Sequence, residues 1–220
     1  MKVAIFLYEG MTTLDAIGPY EVLAQLPGAE IHFVARRRGP VRVDTGVLEL
    51  VAAHALEDVT AADVLIVPGG PGDEAVRTDA RQLDWIRALH ATTTWTTSVC
   101  TGSLILGAAG LLRGLPATTY WARLETLREY GAEPTLERVV EAGRIVTAAG
   151  VSSGIDMALR LVQRMAGDDV AQAIQLGIEY DPQPPFDAGS PAKAPAHVVA
   201  MVRQVIETLG ESRRTARRTA

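Results

Sequence analysis

Short apolar runs alternate with stretches of helical periodicity along this chain. Residues 3–8, 31–35, 64–67 and 94–99 read as buried strands. Residues 12–26 place Leu14, Ile17, Val22, Leu23 and Leu26 on one side of a helix, with Thr12 or Thr13 as its cap and Pro27-Gly28 as its stop. Gly18-Pro19 predicts a kink or a restart in that helix, because Pro19 has no amide for the preceding turn. Further helices are predicted over 79–89, 103–112, 122–130, 155–165, 170–176 and 198–209. Asp44-Thr-Gly46 joins 41–43 to 47–51 as a hairpin, and Ala142-Gly143 joins 138–141 to 144–147 in the same way. Strands alternating with helices predict a doubly wound, mostly parallel α/β sheet with helices on both faces, flavodoxin-like, with small edge hairpins.

Composition agrees with that architecture. The chain has 220 residues, 48% of them hydrophobic and only 5% aromatic, which suits a parallel sheet buried on both faces. The length fits one domain over 1–210. The last ten residues carry four Arg and one Glu, so they contribute +3 and leave -8 on the body, for a net charge of -5. Residues 211–220 are therefore expected to be a basic, disordered tail. The acidic body speaks against nucleic acid as a partner, and no apolar run approaches the roughly 20 residues that a membrane-spanning helix needs. One cysteine cannot form an internal disulfide, and the first strand follows Met1-Lys2 with no leader-like segment. A cytoplasmic protein is the expectation.

That cysteine is the candidate nucleophile. Cys100 ends the strand Thr94–Val99 and begins a Gly- and Ala-rich helix, so it sits at a corner where helix amides face the side chain and can hold a thiolate. In an open α/β sheet ligands gather at the carboxyl ends of the strands. Two other segments end there. One leads from Tyr8-Glu9-Gly10 to Asp15, a carboxyl in the apolar setting Leu14-Asp15-Ala16-Ile17 and a candidate acid–base. The other is Pro68-Gly69-Gly70, whose amides could meet a developing negative charge. Thr101 can donate to the thiolate or to substrate. His32, His54, His90 and His197 all lie away from these segments, so a Cys–His dyad has no evident base. Metal-ligand spacings, Walker loops and dinucleotide fingerprints are absent, and no cofactor is expected.

The motifs Leu14-Asp15-Ala-Ile-Gly18-Pro19, Ile66-Val-Pro-Gly-Gly70, Thr97-Ser-Val-Cys-Thr-Gly-Ser-Leu104, Gly107-Ala-Ala-Gly-Leu-Leu112, Ala117-Thr-Thr119 with Trp121, Glu179-Tyr-Asp-Pro182 and Pro185-Phe-Asp-Ala-Gly-Ser-Pro191 span nearly the whole chain. Together they resemble the ThiJ/PfpI superfamily, which has the class I glutamine amidotransferase-like fold, and within it the isonitrile hydratases. The resemblance implies Cys100 as nucleophile, Asp15 as acid–base, Thr101 as a supporting neighbour, no cofactor, and a homodimer. The implied reaction adds water to an isonitrile, a small-molecule substrate, to give an N-substituted formamide through a Cys thioimidate. Tyr120 stands where those hydratases carry His, which marks it as a substrate-binding candidate and a point of difference. Other readings stay open: an amidase, peptidase or cofactor-free glyoxalase of the same superfamily, a ligand-sensing domain related to transcription regulators, and a redox sensor.

Overall fold

The computed structural model describes residues 1–218. Its strands are β1 (Lys2–Phe6), β2 (Glu30–Ala35), β3 (Gly39–Arg42), β4 (Glu49–Ala52), β5 (His54–Ala55), β6 (Val64–Val67), β7 (Trp95–Val99), β8 (Pro116–Ala117), β9 (Glu133–Pro134), β10 (Val139–Ala142) and β11 (Ile145–Ala148). Its helices are α1 (Thr13–Leu23), α2 (Asp73–Arg77), α3 (Ala80–His90), α4 (Gly102–Ala108), α5 (Ser153–Ala166), α6 (Asp168–Gly177) and α7 (Ala196–Arg218). The central sheet runs β10-β11-β7-β6-β1-β2-β5. All its pairings are parallel except β10 with β11. The flavodoxin-like α/β class is therefore correct.

The apolar runs become the middle of that sheet. All four residues of β6 are buried, as are Val3 to Phe6 of β1. Helix α3 turns Leu83, Ile86 and Leu89 inward, α4 gives Leu104, Ile105 and Leu106, and α5 gives Met157, Ala158, Leu161 and Val162. Burial of such side chains stabilises by about 1.5–3 kcal/mol each, which is why short strands with no periodicity hold their places.

Several elements depart from expectation. Helix α1 runs through Pro19 without restarting. Its Pro19 ring lies against Gly154 of α5, where an added Cβ would sit 3.2 Å from Pro19 Cγ, so tertiary packing carries the helix past the missing amide. The helix predicted over 103–112 stops at Ala108, and Gly110 turns the chain at φ 80°. Residues Trp121–Tyr130 wind as a 3-10 helix rather than an α-helix. Short α2, unread in the sequence, follows the Gly-rich turn after β6. The hairpin expected around Asp44-Thr-Gly46 exists as the separate ribbon β3–β4.

The chain divides into two compact units, residues 1–180 and a second that begins at Asp181. The second unit contains α7, which extends through Arg218 over most of the stretch expected as a disordered tail. Arg and Ala are strong helix formers, so they continue the helix once it has started. Residues 219 and 220 lie outside the described residues. Among the described residues no helix is long and apolar enough to cross a membrane.

The corner between β7 and α4 presses α4 onto the strand beside it. A Cβ on Gly102 would lie 2.0 Å from the Val67 carbonyl oxygen. Gly102→Ala is therefore expected to destabilise the fold by about 1–3 kcal/mol, read as a lower urea midpoint with an unchanged m value.

Candidate active site

Strand order reverses at β1. The chain passes from β1 to β2 and β5 on one side, then returns to lay β6, β7 and β11 on the other. The crevice between β1 and β6 is the topological switch point, the usual place for a ligand in such a sheet. Asp15 stands on the first turn of α1, after β1, Gly69 and Gly70 follow β6, and Cys100 follows β7. The three predicted segments do converge.

Asp15 is wholly buried, with 0% of its surface exposed. Its Oδ2 accepts the Gly69 amide at 2.9 Å. Its Oδ1 has no hydrogen-bond partner of good geometry. Burial pushes the carboxyl up to about 7 against the opposing pull of the Gly69 amide and the neighbouring Cys100 thiol, and the Asp44 charge adds to the rise. A buried carboxyl oxygen left open beside a thiol is a group able to exchange a proton at neutral pH.

Cys100 keeps only 6% exposure and adopts φ 55°, a left-handed conformation that costs a non-glycine residue of order 1–3 kcal/mol. Bonds on every side hold it there. Its amide donates to the Ala148 and Ala149 carbonyls at 3.1 and 2.9 Å. Its own carbonyl accepts the Thr119 hydroxyl at 2.9 Å and the Ser103 hydroxyl at 3.2 Å. The backbone amides of Thr101 and Val151 lie near its sulfur and favour its ionised form. Burial nonetheless pushes the thiol well above its ordinary value, and the charges of Asp15 and Asp73 add to that, while the two amides pull it down. Against the expected pull of the helix amides, desolvation in a closed site acts in the opposite direction and favours the thiol.

Thr101, Gly69 and Gly70 also do other work than expected. The Gly70 amide donates to Thr101 Oγ1 at 3.0 Å, and that hydroxyl lies 3.3 Å from the Gly70 carbonyl as donor. The Gly69 amide is already given to Asp15. Neither glycine amide is free to meet a substrate oxyanion, and the Thr101 hydroxyl is turned onto the Gly-Gly turn while its backbone amide faces the sulfur. Gly70 sits at φ 134° with Thr12 N 2.4 Å from where a Cβ would be, so only glycine lets the turn approach the start of α1.

The pattern that defines the DJ-1/PfpI family matches residues 1–164. The chain belongs to the DJ-1/PfpI family. It is 46% identical over 204 residues to a protein named isonitrile hydratase from Pseudomonas putida, covering 93% of this chain and 89% of that one. A crystal structure of a ThiJ/PfpI family protein from Pseudomonas syringae superposes with a TM-score of 0.92 at 40% identity, covering 96% of this chain and 87% of the other. The chain is also 30% identical over 142 residues to the transcriptional regulator CdhR of Pseudomonas aeruginosa, 64% of this chain but 42% of that one.

In this family member Tyr120 is half-buried, with its ring over Gly150, where an added Cβ would sit 2.8 Å from Tyr120 Cδ2. Its phenol is raised by burial and then by the nearby Cys100, so it faces the site as a neutral group. Composition and spacing did not single out Val151 or Arg138. Val151 brings its amide to the sulfur at φ 34°, rare for a β-branched residue. The turn bearing it is held by Ala149, which donates to the Arg138 carbonyl at 2.9 Å, and by Arg138 Nη2 on Ser152 Oγ at 3.2 Å. Arg138 pairs with Asp156, which also accepts the Tyr180 hydroxyl at 2.8 Å. Beneath the Gly-Gly turn, Tyr8 donates to the Pro68 carbonyl at 3.0 Å, and buried Asp73 pairs with Arg77 at 3.1 Å. The Asp73/Arg77 spacing of four was legible as a helical ion pair. The histidines keep to other places: His32 meets His54 at 3.0 Å, and His90 meets Thr96 and Arg144. Among the described residues no group of three or more His, Cys, Asp or Glu could hold a metal ion.

The buried carboxyl has a stability signature. Its folded pKa of about 7 lies above the ordinary 3.8 of an exposed aspartate, so between those values the folded state keeps a proton that the unfolded chain has lost. Stability from this group is full below about pH 4 and falls as pH rises towards 7, by of order 4 kcal/mol in total. Asp15→Asn, which keeps the Gly69 bond, lacks that loss. The melting temperature of Asp15→Asn relative to wild type is expected to climb by several degrees between pH 4 and pH 8, measured by calorimetry.

Proposed function

We propose that this protein hydrates isonitriles, converting R–N≡C and water into an N-substituted formamide. The observation that carries the reading is the wholly buried Asp15 carboxyl neighbouring Cys100, with its Oδ1 left without a hydrogen-bond partner, and the likeness to the P. putida isonitrile hydratase supports the choice of substrate. The terminal carbon of an isonitrile bears no substituent other than nitrogen. It is a slim electrophile, suited to a sulfur with little open surface.

The reaction begins with Asp15 ionised and Cys100 protonated. Asp15 Oδ1 accepts the thiol proton as sulfur bonds to the terminal carbon, and the Thr101 and Val151 amides stabilise charge on sulfur as it develops. Protonated Asp15 then delivers that proton to the same carbon, which gives the thioimidate R–N=CH–S. Water adds to the thioimidate carbon while Asp15 takes one of its protons and passes it to nitrogen, which leaves Asp15 ionised again. Collapse of the R–NH–CH(OH)–S adduct breaks the C–S bond, returns a proton to sulfur and releases R–NH–CHO. The water supplies the product's oxygen and one hydrogen and restores the thiol proton that went to carbon, so the sum is R–N≡C plus water to R–NH–CHO, and no cofactor takes part. Tyr120 lines the approach as a neutral wall in this reading. A homodimer and a cytoplasmic setting, where a lone thiol stays reduced, are part of the proposal.

The test is formation of formamide from an aryl isonitrile, followed by mass spectrometry. Cys100→Ala is expected to abolish turnover, and Asp15→Asn to lower kcat/KM by about 100-fold or more. Turnover by Cys100→Ala at the wild-type rate would overturn the reading. The first step needs Asp15 as a base, so kcat/KM is expected to rise with pH through about 7. Asp15→Asn removes that limb.

A further inference from the structure

The acid–base of the proposed reaction is not held by its own helix. Thr12 is the N-cap residue of α1, yet its side chain makes no cap bond. Its hydroxyl instead donates to Asp44 Oδ2 at 2.7 Å. Asp44 lies just beyond β3, on the connection of the β3–β4 ribbon, and its own amide donates to the Met11 carbonyl at 2.9 Å. The Thr12 amide donates to the Gly69 carbonyl at 2.9 Å, and the Gly69 amide donates to Asp15 Oδ2 at 2.9 Å. These bonds form one continuous chain: Asp44 carboxylate, Thr12, the Gly69 residue, Asp15 carboxyl.

We infer that Asp44 is a positioning residue for Asp15, acting through Thr12 and Gly69 to fix Oδ2 as the held oxygen and leave Oδ1 free for proton exchange with Cys100. The inference rests on the reading of Asp15 as the acid–base. The physical reason for the arrangement lies in the cap. A threonine that capped α1 would give its oxygen to the helix amides; given to Asp44, it ties the start of α1 to a separate ribbon. The same ribbon grips the β1–α1 connection again where the Gly10 amide donates to the Arg42 carbonyl at 2.8 Å. A carboxyl displaced by a fraction of an ångström loses much of its effect on proton transfer, so a remote ion can matter to the rate without touching the substrate. The ionisable groups that face Asp15 are Cys100 from the β7–α4 corner, Asp44 from the ribbon, and Tyr8 from the end of β1.

The experiment compares Thr12→Val, Thr12→Ser, Asp44→Asn and Glu49→Gln in the full chain. Glu49 pairs with Arg42 on the same ribbon at 3.1 Å but has no part in the chain of bonds, so it reports on the ribbon alone. Thr12→Val and Asp44→Asn are expected to lower kcat for formamide formation about 10-fold, with KM changed less than twofold. Thr12→Ser restores the hydroxyl and is expected to keep at least half the wild-type kcat, and Glu49→Gln to match wild type. In Thr12→Val the Gly69 amide is held less firmly on the carboxyl, so the acid limb of kcat/KM moves to higher pH. Wild-type kcat and pH profile in Thr12→Val would overturn the inference, as would a loss in Glu49→Gln equal to that in Asp44→Asn. A second readout is the pH profile of Cys100 alkylation by iodoacetamide, in which the ionisation of Asp15 appears without any isonitrile. Should the wild type make no formamide, the function fails alone; an unmoved alkylation profile in Thr12→Val sinks the positioning role alone.

Discussion

A carboxyl group taken out of water at the start of α1 sets the conditions for everything around it. Asp15 has one oxygen on the Gly69 amide and the other without a hydrogen-bond partner, and Cys100 is its neighbour. Its burial costs the folded state at neutral pH, and a structure retains such a cost where a proton has to move. The same burial pushes the thiol up. In the proposed reaction one proton passes between these two desolvated groups.

Strain and rigidity follow from that need. Cys100 and Val151 both adopt positive φ, and their conformations are mutually consistent: one presents the sulfur, the other presents an amide to it. Five backbone or hydroxyl bonds to Cys100 and its neighbours, counting the Ser153 hydroxyl on the Ala149 carbonyl at 2.6 Å, replace the flexibility that a glycine would have given. The two glycines after β6 serve approach more than catalysis. They bring a turn against α1 and the nucleophile corner, and their amides are spent on Asp15 and Thr101. The corner therefore offers charge stabilisation to the sulfur through two amides, and this favours addition chemistry at sulfur over a Gly-Gly oxyanion hole.

Much of this was legible in the chain itself. Apolar runs of four to six residues between amphipathic stretches point to a parallel sheet because burial on both faces leaves no polar positions to alternate. Cys100 and Asp15 stood out because a cysteine between a strand and a Gly-rich helix, and a carboxylate inside Leu-Asp-Ala-Ile, are residues in unusual surroundings. Thr12 was legible as a helix cap by type and position, and the structure shows why type was not enough: Asp44, 32 residues away, competes for the same hydroxyl.

The sequence by itself determined the alternation of strands and helices, singled out Cys100 and Asp15 as the candidate nucleophile and acid–base, and carried the motifs of the DJ-1/PfpI family. These depend on local patterns and on residue chemistry, both of which are readable along a line. Only the tertiary structure decided which amide meets which oxygen, that burial pushes the thiol up, that Pro19 sits inside an unbroken helix, and that Val151, Asp44 and Arg138 lie around the candidate site. Each of those outcomes is a matter of distance and desolvation between segments far apart in the chain. A hydrogen bond or a buried charge is settled by what surrounds it in space, and no spacing in the sequence encodes that.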